Sequence, residues 1–162
     1  MIKGKNVYAI IPARGGSKAI PKKNIIEFDG LPLIEHSILY AKKTPLIDEI
    51  FVSTDCNEIE NISKQFDVSL VKRPENIAQD DSSTELTIEH VIKSQNIDSN
   101  SIIILLQPTS PIRPKGILDQ MLKNFIENNY DSMVSISPCH PLNWKLDSNE
   151  LICRYNYKDR PM

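Results

Sequence analysis

The feature that most constrains this chain is an alternation of short β-branched runs with stretches whose apolar residues recur at helical spacing. Val7 to Ile11 is apolar at nearly every residue, as a strand buried on both faces requires. Glu49 to Ser53, Val68 to Val71, Ile102 to Leu106 and Met133 to Ile136 read as four further strands. Between them, Leu31, Ile34, Ile38 and Ala41 form one stripe, and Ile59, Ile62 and Phe66 a second. Ile88, Val91 and Ile92 belong to a third helix, and Ile117, Met121 and Phe125 line a fourth, with Leu118 and Leu122 beside them. Spacings of three and four place such residues on one helical face. Asp29-Gly30 marks a turn, Pro32 suits a first helical turn, and Pro45 ends the first helix. Asp55 with Glu58, and Ser82 with Glu85, have the spacing of capping boxes. Strand–helix alternation predicts right-handed crossovers and a mostly parallel α/β sheet with helices on both faces. After Pro138 and Pro141 the rhythm breaks. Two strand-like pieces, near Asn143 to Leu146 and Leu151 to Tyr155, predict an edge hairpin or a subunit contact. The expected division is 1–137 for the α/β domain and 138–162 for this edge element.

Composition narrows the function classes. The 162 residues carry 19 Lys and Arg against 21 Asp and Glu, a formal net charge of −2. That balance argues against a nucleic-acid-binding surface over the whole protein but leaves room for a local anion site. The longest purely aliphatic run, Ile102 to Leu106, is far short of the ~20 residues that span a bilayer. The N-terminal MIKGKNVYAII lacks a signal-peptide core with a small-residue cleavage site, so a cytoplasmic location is expected. Cys56, Cys139 and Cys153 are widely spaced and form no CxxC pair; they read as reduced structural thiols.

In an open parallel sheet the ligand lies beyond the carboxyl ends of the strands, so the segments following each strand carry the chemistry. The first is PARGGSKAIPKKN, residues 12–24. Gly15 and Gly16 leave backbone N–H groups accessible to an anion, and Arg14, Lys18, Lys22 and Lys23 supply four cations. Such a loop suits a polyphosphate. It is neither a Walker A loop nor a GxGxxG fingerprint. After the second strand, Asp55 is expected to cap a helix, with ligand contact as the alternative. After the third come Arg73 and Pro74. In the loop from Gln79 to Thr84, Asp80 and Asp81 could hold a metal, but capping and solvation fit them better. After the fourth strand, three prolines stiffen the stretch from Gln107 to Pro114, and Gln107 offers both a donor and an acceptor. His36 and His90 fall on predicted helices, and His140 sits in a proline-flanked stretch. No Ser/His/Asp arrangement or HExxH motif emerges.

Five segments in register, ARGGSKAIPKKN, VSTD, the Arg73-Pro74 pair, DDSST and LLQPTSPIR, together resemble the acylneuraminate cytidylyltransferases, whose relatives act on legionaminic and pseudaminic acids. The resemblance runs from about residue 6 to residue 137. It implies a Rossmann-like nucleotidyltransferase fold and transfer of CMP from CTP to a nine-carbon 2-keto sugar acid, with release of pyrophosphate. It further implies Mg²⁺ as cofactor and a homodimer, with neither nucleic acid nor membrane as partner. Carried over by position, Arg14 and the Gly15-Gly16-Ser17 backbone would hold the triphosphate, and Lys23 would sit near the α-phosphate. Arg14 and Lys23 would thus be the catalytic cations. Asn24, Arg73, Ser82 and Thr84 match nucleotide-contacting positions, and Gln107 matches a position that contacts the acceptor sugar. The family's Mg²⁺-binding aspartates match nothing before Met162, and Arg160-Pro161 resembles the start of its arginine-rich phosphate segment. The expectation is a C-terminally incomplete fold holding the nucleotide-binding front part, with no metal ligands among these residues. The alternatives are a CTP-binding fragment without turnover, a related sugar nucleotidyltransferase such as one for KDO, and a dinucleotide-binding oxidoreductase. The absent GxGxxG disfavours the last, and the GGSK run disfavours the KDO relative.

Overall fold

A computed structural model describes residues 2–17 and 20–136 in full, and the strands Trp144–Asp147 and Glu150–Cys153 as backbone. Lys18, Pro138, Cys139, His140, Pro141 and Arg160-Pro161, all singled out above, lie outside the described residues. The chain forms two compact units, Met1–Tyr130 and Asp131–Met162.

In the first unit, β1 (Val7–Pro12) pairs in parallel with β4 (Glu49–Thr54) on one side and β6 (Ile102–Leu105) on the other. β5 (Ser69–Lys72) adds in parallel beyond β4, giving the order β5-β4-β1-β6. Successive side chains of a strand point to opposite faces, and β1 shows the consequence. Val7, Ala9 and Ile11 enter a core with Ile34, Ile38 and Ala41 of α1 (Leu33–Lys42), Ile59 of α2 (Asn57–Ser63), and Leu118 and Leu122 of α4 (Ile117–Glu127). Ile10 enters a second core with Phe51, Val71 and Val91 of α3 (Thr84–Ser94). A parallel sheet with both faces covered is the expected architecture. None of the helices among the described residues is long and apolar enough to cross a membrane.

Several local expectations need correction. Asp29 and Gly30 both adopt positive φ (49° and 78°) between the two-residue strands β2 (Glu27–Phe28) and β3 (Leu31–Pro32). They form the tight hairpin turn that Asp-Gly favours. Leu31 therefore belongs to a strand and Pro32 precedes the helix. In α4 the buried residues are Leu118 and Leu122, while Ile117 is exposed; the predicted stripe is the flank of the packed face. Met133 to Ile136 forms no strand. Val134 and Ile136 are 79 % and 90 % exposed, because β propensity yields a strand only where a neighbouring chain completes the hydrogen-bond ladder. In the second unit, β7 (Trp144–Asp147) and β8 (Glu150–Cys153) pair antiparallel, a hairpin where two strand-like pieces were expected.

Candidate functional site

The chain leaves β1 to build β4 and β5 on one side, then returns to place β6 on the other. The strand order therefore reverses between β1 and β6, and the segments leaving these two strands flank the crevice where open α/β sheets take their ligands. A cleft of about 290 Å³ lies there. Arg14, Gly16, Ser17, Lys23 and Asn24 line it from the β1 side, Arg73 from the end of β5, Ser82 and Thr84 from the start of α3, and Gln107 from the exit of β6. Pro12, Asp80, Ser83, Thr87, Pro108 and Thr109 complete the lining; of these, Thr87 of α3 carried no signal in the sequence.

Gly15, also expected to face the ligand, is not part of the lining. Its N–H donates to Asp55 Oδ1 at 2.8 Å. A Cβ at Gly15 would stand 2.7 Å from Cys56 Cβ, so glycine is needed there for close approach to the start of α2. Gly15→Ala is expected to cost about 1–3 kcal/mol through overpacking. Thermal unfolding checks this: the loss should be relieved in a Cys56→Gly background, and an unchanged loss would place the strain elsewhere.

Asp55 was expected to cap α2, and it does not. The cap position belongs to Cys56, whose N–H is taken by Thr54 Oγ1 at 3.1 Å. The expected capping partner Glu58 instead binds Lys22 Nζ at 2.7 Å. That hydrogen bond and charge raise the lysine pKa. At α3 the cap falls one residue later than Ser82: Ser83 Oγ accepts from Leu86 N–H at 3.4 Å. Ser82 and Ser83 both line the cleft.

The cations differ in their surroundings. Arg14 Nη1 meets Asp80 Oδ1 at 2.8 Å and the Ala78 carbonyl at 3.4 Å. Arg73 is only 6 % exposed. Its Nε donates to Ser53 Oγ at 3.3 Å and its Nη2 to the Ser53 carbonyl at 2.9 Å. Burial pulls its pKa below the ordinary arginine value; Asp55 opposes that shift and Arg14 adds to it. The Lys23 ammonium lines the cleft with no ion-pair partner among the described residues. A positive left-handed φ at Lys22 and the short 3₁₀ turn Lys23–Ile25 bring it there.

Arg113 organises the far wall. Its Nη2 donates to the Gln107 carbonyl at 2.6 Å, its Nη1 donates to Ser37 Oγ at 3.2 Å, and its guanidinium lies 5.4 Å from the centre of the Tyr40 ring. Burial lowers its pKa, with Tyr40 opposing. The proline content announced a stiff segment, but the anchoring of Gln107 to α1 depends on partners 76 residues away in sequence. Cys56 carries a free thiol. Among the described residues no three His, Cys, Asp or Glu side chains converge to hold a metal, and Asp80 is engaged by Arg14.

Comparison with known proteins shows the family. The family model described as cytidylyltransferase matches residues 8–155. The chain is 38 % identical over 123 residues to the pseudaminic acid cytidylyltransferase of Campylobacter jejuni, covering 74 % of this chain and 53 % of that protein. It is 33 % identical over 144 residues to N-acylneuraminate cytidylyltransferase A of Danio rerio, covering 88 % of this chain and 33 % of that one. The chain thus spans about half the length of the first relative and a third of the second. Among solved structures, a CMP:2-keto-3-deoxy-manno-octonic acid synthetase complexed with CTP superposes with a TM-score of 0.62 at 22 % identity, covering 77 % of this chain and 49 % of that one. At that identity the likeness speaks for the fold.

Proposed function

The chain belongs to the cytidylyltransferase family, and on that premise we propose that it binds CTP in the cleft between β1 and β6 and transfers CMP to a nonulosonic acid. The observation that carries the proposal is the meeting of residues from four separate segments, Arg14 to Asn24, Arg73, Ser82 with Thr84, and Gln107, around one cleft at the switch point of the sheet. Arg14, Lys23, Gly16 and Ser17 would face the triphosphate, with Arg73 behind them. Asn24, Ser82 and Thr84 would face the nucleotide, and Gln107 the acceptor.

Nucleotidyl transfer is a displacement at phosphorus. The anomeric hydroxyl oxygen of the acceptor bonds to the α-phosphorus, the bond to the departing pyrophosphate breaks, and the hydroxyl proton passes to solvent. Little covalent chemistry falls to the protein, so positioning and charge stabilisation dominate. Lys23 has an ammonium free to meet charge on the departing pyrophosphate, whereas Arg14 must exchange Asp80 for phosphate oxygens.

Among the described residues no group of three His, Cys, Asp or Glu side chains converges that could hold Mg²⁺ by itself. Use of Mg²⁺ by the whole protein belongs to the same proposal. So do a homodimer, a cytoplasmic location, and the division into a nucleotide-binding part over 1–137 and a dimerisation element beginning in 138–162.

The test is pyrophosphate release from CTP with pseudaminic, legionaminic and N-acetylneuraminic acids, with KDO alongside and Mg²⁺ present. Release with a nine-carbon acid supports the proposal, and release with KDO alone moves the substrate class. CTP binding without release favours a nucleotide-binding chain that does not turn over. Absence of CTP binding rejects the reading.

A further inference from the structure

One peptide group of the anion loop is held from both ends. Asn24 Nδ2 donates to the Arg14 carbonyl at 2.9 Å, and the Gly15 N–H donates to Asp55 Oδ1 at 2.8 Å. That carbonyl and that N–H belong to the same planar unit. The two side chains come from different parts of the fold. Asn24 is buried in the 3₁₀ turn behind the loop, and Asp55 follows β4, forty residues along the chain from Gly15. With its oxygen and its hydrogen both engaged, the plane cannot rotate about the flanking φ and ψ without breaking one of the bonds. Arg14 precedes this plane and Gly16 follows it, and both line the cleft.

Asn24 also lines the cleft and Asp55 also acts on the charge of Arg73, yet the side-chain hydrogen bond of each goes to this one peptide group. Asp55 does not cap α2, and the Asn24 amide is turned onto loop backbone. We propose that Asp55 and Asn24 are positioning residues: together they fix the Arg14–Gly15 peptide plane and so aim Arg14 and the Gly16-Ser17 backbone before a nucleotide arrives. The functional consequence rests on the reading of the cleft as a triphosphate site. Pre-ordering such a loop removes an ordering cost from binding, and small misplacements of catalytic groups cost up to ~10²-fold in rate.

The experiment measures two things on the whole chain: exchange of the Gly15 amide proton by NMR, and CTP affinity. Asp55→Ala should speed Gly15 exchange by about tenfold or more and weaken CTP binding about tenfold, since fixed loop geometry is lost. Asp55→Asn keeps an acceptor oxygen and should retain both within about threefold. Asn24→Ala removes the donor to the Arg14 carbonyl without adding a charge. It should also speed Gly15 exchange, and it carries the test if Asp55→Ala does not fold. The Asp55→Ala/Asn24→Ala double variant should bind CTP no worse than the weaker single variant, because both act on one plane. Gly15 exchange unmoved by these variants, or affinity losses that multiply in the double variant, would overturn the proposal. If the unmodified chain fails to bind CTP, the nucleotide reading falls, while the exchange measurements still decide whether the clamp exists.

Discussion

Arg14→Ala is expected to lower CMP transfer by about 10²–10³-fold, roughly 3–4 kcal/mol of transition-state stabilisation, while leaving the unfolding midpoint almost unchanged. The asymmetry follows from where Arg14 sits. Its guanidinium lines the cleft, and its partner Asp80 is a carboxylate that any phosphate must displace. The side chains of that pair are 29 % and 35 % exposed, and such pairs contribute only about 0–1 kcal/mol to folding. Pyrophosphate release and thermal unfolding, run on the same preparations, separate the two quantities. Parallel losses in rate and stability would make Arg14 a structural residue.

Arg73→Ala is expected to behave in the opposite way and to damage the fold itself. Arg73 serves the hydroxyl and the carbonyl of Ser53, a fully buried residue at the end of β4. Deleting the guanidinium leaves the Ser53 hydroxyl without its donor, at about 1–3 kcal/mol for a buried unsatisfied group, while the Ser53 carbonyl keeps the Ala13 N–H at 2.9 Å; it opens a cavity as well. A loss of about 3–5 kcal/mol is expected from the two together, read as a lower urea midpoint at unchanged slope. Arg73→Met refills much of the volume but supplies no donor, so its midpoint should fall between alanine and the native residue. CTP binding should weaken in both variants. A native midpoint in Arg73→Ala, with CTP binding lost, would show that Arg73 serves the ligand alone.

Arg14 and Arg73 each follow a strand, and both match nucleotide-contacting positions in the sequence. Burial separates them, and burial is set by what packs around each strand end. The same limit explains the helix starts. A carboxylate three residues before a glutamate is a local capping signal, yet Asp55 is drawn to Gly15, a donor brought beside it only when β1 and β4 pair. Ser83 takes the cap of α3 from Ser82 by a shift of one residue, within the uncertainty inherent in helix ends. Met133 to Ile136 has the composition of a strand, but composition cannot supply a neighbour for its ladder.

Strand and helix periodicity was readable along the chain because burial imposes a repeat of two or 3.6 on residues that are neighbours in sequence. For the same reason the sequence alone identified the four paired strands of the sheet and the helices between them, and with them the segments after the strands that line the cleft. The tertiary structure decided which donor each acceptor meets: Gly15 with Asp55, Arg14 with Asp80, Arg113 with Ser37 and the Gln107 carbonyl. Most of these partners lie 40 to 76 residues apart, and a hydrogen bond depends on distances of a few ångströms that only the packed sheet creates.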